Sequence, residues 1–196
     1  MPNIAIKLTS KDHGRAMTLD EFDEAEAEPG QLFELGRGII VVTEVPRPNH
    51  GMLVDAIRTQ VTAFKLAHPG QFLFQAAGSD CKILLSTLQS ERHPDLAVYT
   101  TPPPSNDNKA WSVWVPALVV EIVSPGSEQR DYVEKREEYL QFGIREYWIV
   151  DATKQEMLAL QRSRGQWEEH LVRPPALYRS LSLPGFEFNL ASVFSI

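Results

Sequence analysis

Between His50 and about Ala67 the apolar residues Leu53, Val54, Ile57, Val61, Phe64 and Leu66 recur mostly at steps of three and four, which predicts a helix with one buried face. His68-Pro69-Gly70 supplies its stop. A different pattern fills PALVVEIV (Pro116 to Val123), an unbroken β-branched run too short for a typical helix. It predicts a central strand buried on both faces. QFLFQAA and DCKILL, around Gly78-Ser79, predict two short strands, and PDLAVY and EYWIVD predict two more. Two hairpins are expected: LFEL and IIVVTEV about Gly36-Arg37-Gly38, and EMLALQR and QWEEHLV about Ser163-Arg164-Gly165. The final LPGFEFNLASVFSI should pack a short strand and a helical turn onto the sheet.

Polar punctuation completes the outline. Thr18-Leu-Asp-Glu21 reads as a capping box, opening a short acidic helix that runs to about Glu28 and stops at Pro29-Gly30. Ser127 to Phe142 turns helical and charged, with Gly143 at the C-terminal stop. Thr100 to Trp111 has the Pro, Ser and Asn content of a surface loop long enough to serve as a lid. There is no internal repeat, heptad run or low-complexity tract. The order of elements predicts an α/β fold, a sandwich around a central mixed β-sheet flanked by helices, with additional β-hairpins.

Composition narrows the function. At 196 residues, 43% apolar and 23% charged, the chain has the make-up of one ordinary globular domain. Cys81 alone excludes an internal disulfide, and MPNIAIKLTSKDHG lacks the apolar core of a signal peptide, so a cytoplasmic setting is expected. No apolar run is long enough to span a bilayer, so no membrane partner is expected. The net charge of −7 means that any contact with nucleic acid must rest on local basic patches. The five histidines show no His-x-x-x-His spacing, and neither a phosphate-binding GxxxxGK[ST] loop nor a GxSxG elbow occurs.

Two carboxylates stand out against apolar surroundings. Strand alternation puts Ala117, Val119, Glu121 and Val123 on one face and Leu118, Val120 and Ile122 on the other. Glu121 must therefore be neutral, paired or bound to a cation; a wet strand end or an ion pair would satisfy it. Asp95 starts another apolar strand directly after Pro94, 26 positions earlier, a separation that a loop can fold into neighbouring strands. Converging carboxylates of this kind suit Mg²⁺, which is held by one or two carboxylates plus water and phosphate oxygens. Asp131, Lys135 and Tyr139 form a drifting i, i+4 stripe, and Tyr132, Tyr139 and Leu140 mark the face toward the sheet. Spacing alone leaves an Asp131 to Lys135 surface pair equally open.

HPDL, VVEIVSP, the charged helix, FGIREYWIVD and the late LPGFEFNLASVF, together with MTLDEF, FELGRG and PNHGMLVDAI, resemble the Uma2 family of restriction-endonuclease-like proteins from Met17 onward. The resemblance implies a PD-(D/E)xK nuclease fold in which Asp95 and Glu121 bind the metal, with a lysine two positions beyond the glutamate. Val123 occupies that place here. The corresponding lysine in similar chains comes from the following helix, which implies Lys135. Glu34, in FELGRG, matches a glutamate of the family's hairpin and is implied as a supporting metal or water ligand; Gly36-Arg37 replaces the acidic position after it. His50 and Asp151 also fall on family-like positions, but capping and turn roles account for both, and neither is counted as catalytic.

The expectations are then definite. Residues 1–16 form an N-terminal segment of weak order, and 17–196 a single PD-(D/E)xK nuclease-like domain. The activity is Mg²⁺- or Mn²⁺-dependent hydrolysis of DNA phosphodiester bonds, with Asp95, Glu121 and Lys135 catalytic. Arg130, Arg136 and Arg145 would contact phosphates. A homodimer is implied by the family. The alternatives are a catalytically degenerate binding or assembly protein with the same fold, and a plain buried ion pair between Glu121 and Lys135.

Overall fold

The computed structural model describes residues 6–44, 47–71 and 74–195. The chain runs through β1 (Lys7–Leu8), α1 (Leu19–Asp23), β2 (Glu26–Ala27), β3 (Gln31–Gly36), β4 (Ile39–Glu44), α2 (Pro48–Ala67), β5 (Phe74–Ala76), β6 (Ile83–Leu85), β7 (Ser90–Arg92), β8 (Leu96–Tyr99) and β9 (Leu118–Ile122). A π-helical turn over Arg130–Glu134 leads into α3 (Lys135–Phe142). Then follow β10 (Glu146–Asp151), β11 (Glu156–Ser163), β12 (Gln166–Val172), β13 (Leu177–Arg179), β14 (Glu187–Asn189) and α4 (Leu190–Val193). Six strands form the central mixed sheet in the order β12-β11-β10-β9-β8-β5, and four form a second sheet, β4-β3-β7-β6. Within the central sheet β9 and β10 are parallel and the other pairs antiparallel.

Alternation along β9 divides the interior into two layers. Leu118, Val120 and Ile122 face Ile57, Val61 and Phe64 of α2, together with Phe188, Leu190 and Val193 near the C-terminus. Val119 faces the other way, into a cluster with Ile83 and Leu85 of β6, Tyr139 of α3, and Tyr147 and Ile149 of β10. Glu121 follows Val119 on that second face, under α3.

The local signals explain most elements. Thr18 and Glu21 form the expected reciprocal cap: the Thr18 hydroxyl accepts from the Glu21 N–H at 3.3 Å, and the Glu21 carboxylate accepts from the Thr18 N–H at 2.9 Å. The helix is shorter than expected. It ends at Asp23 because the backbone instead pairs with β1, the Glu26 N–H reaching the Ile6 carbonyl and the Glu28 N–H the Leu8 carbonyl. Both hairpins turn through two left-handed residues, Arg37-Gly38 and Arg164-Gly165, the conformation that matches strand twist. Part of the expected strand QFLFQAA lies at 72–73, and the end of IIVVTEV at 45; these lie outside the described residues. The segment after Thr100 does not form a lid over the carboxylates. It leaves β8 at the end opposite Asp95 and is anchored there, with the Tyr99 and Trp114 rings 3.9 Å apart and Trp111 against both.

Candidate active site

The β8–β9 register decides where the two carboxylates stand. Leu96 pairs with Val120 and Ala97 with Val119, so one step further Asp95 stands opposite Glu121. Side chains at opposed antiparallel positions leave the same face with Cβ atoms about 5 Å apart. One Asp95 oxygen, Oδ2, accepts the Ile122 N–H at 2.7 Å, which ties the carboxylate to the end of β9.

Glu121 is buried and is addressed from α3 by two donors on one oxygen. The Tyr139 hydroxyl donates to Oε1 at 2.6 Å, and the Lys135 ammonium lies 3.0 Å from the same atom. Lys135 is itself only 5% exposed, with its Nζ 3.4 Å from Asp131 Oδ1 and 3.7 Å from Glu34 Oε1. The four residues Glu34, Asp95, Glu121 and Lys135 therefore come together at one place. Asp131 joins them, held by the Ser127 hydroxyl at 2.5 Å.

The π-helical turn makes this possible. Ser127, Asp131, Lys135 and Tyr139 are spaced by four, and in a regular α-helix each such step drifts about 40° past a full turn. Three steps would carry Tyr139 well off the line of Ser127. The wider π turn, closing i to i+5, drifts the opposite way and brings the four side chains back toward one stripe. Such insertions recur at functional sites.

Glu34 is fixed from behind. Its Oε1 accepts the His93 N–H at 3.0 Å and its Oε2 the Arg92 guanidinium at 3.3 Å. Arg92 is fully buried and donates twice more to Glu138 of α3, at 2.7 and 3.0 Å, so it bolts α3 to the second sheet.

The charges respond to this crowding. Burial pushes Glu121 up, Lys135 opposes it, and Asp95, Asp131 and Glu34 add to it, leaving the carboxyl at about 8. Burial also raises Asp131, against the pull of Lys135. Glu34 moves the other way: burial would raise it, but Lys135 and Arg92 outweigh that and bring it down to about 2. Lys135 is raised despite burial, because Glu121, Glu34 and Asp131 all favour its charged form.

The three arginines separate. Arg130 sits on the π turn next to Asp131, with its Nε buried and without a hydrogen-bond partner. Arg136 is engaged by Glu169 of β12. Arg145 precedes β10 at the end of the sheet away from Glu121, since Glu146 pairs with Leu118 and Ile149 with Glu121. Only Arg130 is brought to the site.

Two residues set aside on sequence grounds behave differently. Asp151 has the turn role expected, accepting the Lys154 N–H at 3.0 Å. His50 is not a cap: its Nε2 lies 2.8 Å from Asp95 Oδ1 and its Nδ1 3.2 Å from the Ser124 hydroxyl. A signal was present. An imidazole in the first turn of a helix meets the positive end of the dipole, and without an acidic partner it is poorly placed there.

A family model named Uma2 and described as "Putative restriction endonuclease" matches residues 19–191. Among solved structures, one described as "a putative nuclease belonging to DUF820" from Anabaena variabilis is similar, with a TM-score of 0.74 at 19% identity. The match covers 91% of this chain and 98% of that one. At that identity the likeness bears on the fold, and it agrees with the mixed-sheet sandwich. No curated protein matches the chain.

Proposed function

The chain belongs to the Uma2 family, and from that membership and the geometry above we propose that it is an endonuclease hydrolysing phosphodiester bonds of DNA with Mg²⁺ or Mn²⁺. The observation that carries this reading is the opposition of Asp95 and Glu121 on adjacent strands with the Lys135 ammonium 3.0 Å from Glu121. A plain ion pair needs one acid. Here three carboxylates, Glu34, Glu121 and Asp131, lie within 3.7 Å of one lysine and Asp95 stands opposite Glu121, and burial, with this excess of acids adding to it, raises Glu121 to about 8.

That excess of hard oxygen donors fits a divalent cation, which Asp95 and Glu121 would hold. Among the described residues no group of three or more His, Cys, Asp or Glu side chains is arranged to hold a metal ion by itself. Mg²⁺ does not require one, because water and phosphate oxygens fill its other positions. When bound, such a cation supplies Lewis-acid polarisation at phosphorus and a water of lowered pKa.

The chain's own groups divide the rest. Asp95, with 22% of its side chain exposed, is the open edge of the site, whereas Glu121 is sealed beneath α3. Tyr139 fixes the rotamer of Glu121 by its hydrogen bond. Lys135 places a positive charge where charge develops on the phosphoryl group. Arg130, whose charge acts on Asp131 at the edge of the site, suits a backbone phosphate. No helix among the described residues is long and apolar enough to cross a membrane. A homodimer and a cytoplasmic setting go with this reading, since two identical chains would offer one centre to each strand.

The test is cleavage of plasmid DNA by purified protein with Mg²⁺ or Mn²⁺, alongside Asp95→Ala and Glu121→Gln. Both variants should be inactive, and the Gln variant should stay folded. Cleavage at the wild-type rate in Glu121→Gln would assign the activity elsewhere and favour a non-catalytic binding role.

A further inference from the structure

We propose that His50 is a positioning residue for Asp95, itself steadied by Ser124, so that a relay from the α2 layer orients a carboxylate presented on the opposite face. Its functional consequence rests on the nuclease reading above; its geometry does not.

The relay crosses the sheet. Helix α2 packs on the face carrying Val120 and Ile122, while Asp95 and Glu121 leave the other face. His50, in the first turn of α2, reaches Asp95 around the end of β9, and Ser124, two residues past that strand, receives the other ring nitrogen. Asp95 then has both oxygens restrained: Oδ2 by the Ile122 N–H and Oδ1 by the imidazole. Either restraint alone leaves the carboxylate free to swing about its last torsion; the two together fix its plane.

The tautomer follows from the partners. An ionised carboxylate only accepts, so the ring hydrogen facing Asp95 sits on Nε2, and in the neutral ring Nδ1 accepts from the Ser124 hydroxyl. The same three residue types make up a nucleophilic triad, but the surroundings do not support a serine nucleophile. The Ser124 N–H is taken by the Ser127 hydroxyl at 2.9 Å and the Gly126 N–H by Glu128 at 2.9 Å. The turn has spent the donors that would stabilise an oxyanion. Orientation of Asp95 is what remains for the relay to do.

Two measurements test this. In metal-free protein, long-range ¹H–¹⁵N correlation of the imidazoles, above the pH at which the ring is charged, should show His50 with its hydrogen on Nε2, and Asp95→Ala should release it to a tautomer mixture. A mixture already present in the wild type overturns the proposal. Calorimetric titration with Mn²⁺ should show His50→Ala weakened about 10–100-fold, the usual cost of removing a group that orients a metal ligand. His50→Gln, whose amide can still donate to Asp95, should recover most of the affinity. Wild-type affinity in His50→Ala, or no recovery with Gln, overturns it. Should the wild type bind no Mn²⁺ while the tautomer remains locked by Asp95, the nuclease reading fails and the positioning contact stands.

Discussion

Replacing Glu121 by Gln should stabilise the metal-free protein, and increasingly so as the pH rises. The carboxyl ionises near 4.5 in an unconstrained chain and near 8 when folded, chiefly because it is buried. Between those values the folded state holds a proton that the unfolded state has released. The contribution of this group is therefore fully present below about 4.5 and is lost as pH climbs toward 8. At about 1.4 kcal/mol per pH unit the loss is roughly 3 kcal/mol at neutral pH. Gln keeps an acceptor for the Tyr139 hydroxyl and removes the charge, while Lys135 retains Asp131 and Glu34. Glu34, lowered to about 2, acts below 4.5 and does not overlap this window.

Thermal unfolding of both proteins in chelator, from pH 5 to pH 8, reads the difference directly. The variant should gain about 6–12 °C over the wild type at neutral pH for a domain of this size, and little at pH 5. Mg²⁺ should then raise the wild-type midpoint but not that of the variant. A difference that stays constant across the pH range, or a variant less stable than wild type at pH 8, would refute the account of a carboxylate held at a cost to the fold.

Glu146→Gln should do the opposite, losing about 2–4 kcal/mol by chemical denaturation, because its two oxygens accept from Trp148, Tyr178, Ser180 and the Ser182 N–H, and an amide NH₂ would face donors. Gly36→Ala should lower stability by about 1–3 kcal/mol, since its Cβ would lie 2.7 Å from a nitrogen of the pinned Arg92; an unchanged midpoint would show that Arg92 is free to move. Lys135→Ala should slow cleavage sharply while largely sparing metal affinity by calorimetry, and should cost about 3–5 kcal/mol in metal-free protein as buried Glu34 and Asp131 lose their cation.

Periodicity alone located most of the fold and Glu121, because β9 is buried on both faces and any acid within it is conspicuous; Asp95 was marked by its place directly after Pro94 at the head of β8. Strand alternation also placed Glu121 on the correct face, under α3. β7 was not legible. Its sequence Ser90-Glu91-Arg92 is polar yet entirely buried, and its pairing depends on partners in β3, β6 and α3 that no local pattern reveals. Lys135 was legible only through family resemblance, since an i, i+4 stripe does not disclose a π turn. His50 was missed because its partners Asp95 and Ser124 are 45 and 74 residues away.

Supplying the ammonium from a helix makes the site depend on how that helix is docked. A lysine on β9 would be placed by strand pairing alone, but Val123 occupies that position, and Lys135 reaches Glu121 only if α3 lies at the right height over the sheet. Besides the apolar packing of Tyr139, ion pairs set that height: Arg92 of β7 grips Glu138, and Arg37 of the β3–β4 turn pairs with Glu137 at 2.5 Å. The same Arg92 holds Glu34, which in turn lies 3.7 Å from Lys135. The small second sheet is thus the fixture that positions the lysine and the outer carboxylate together, and a change at Gly36, against Arg92, should be felt in cleavage as well as in stability.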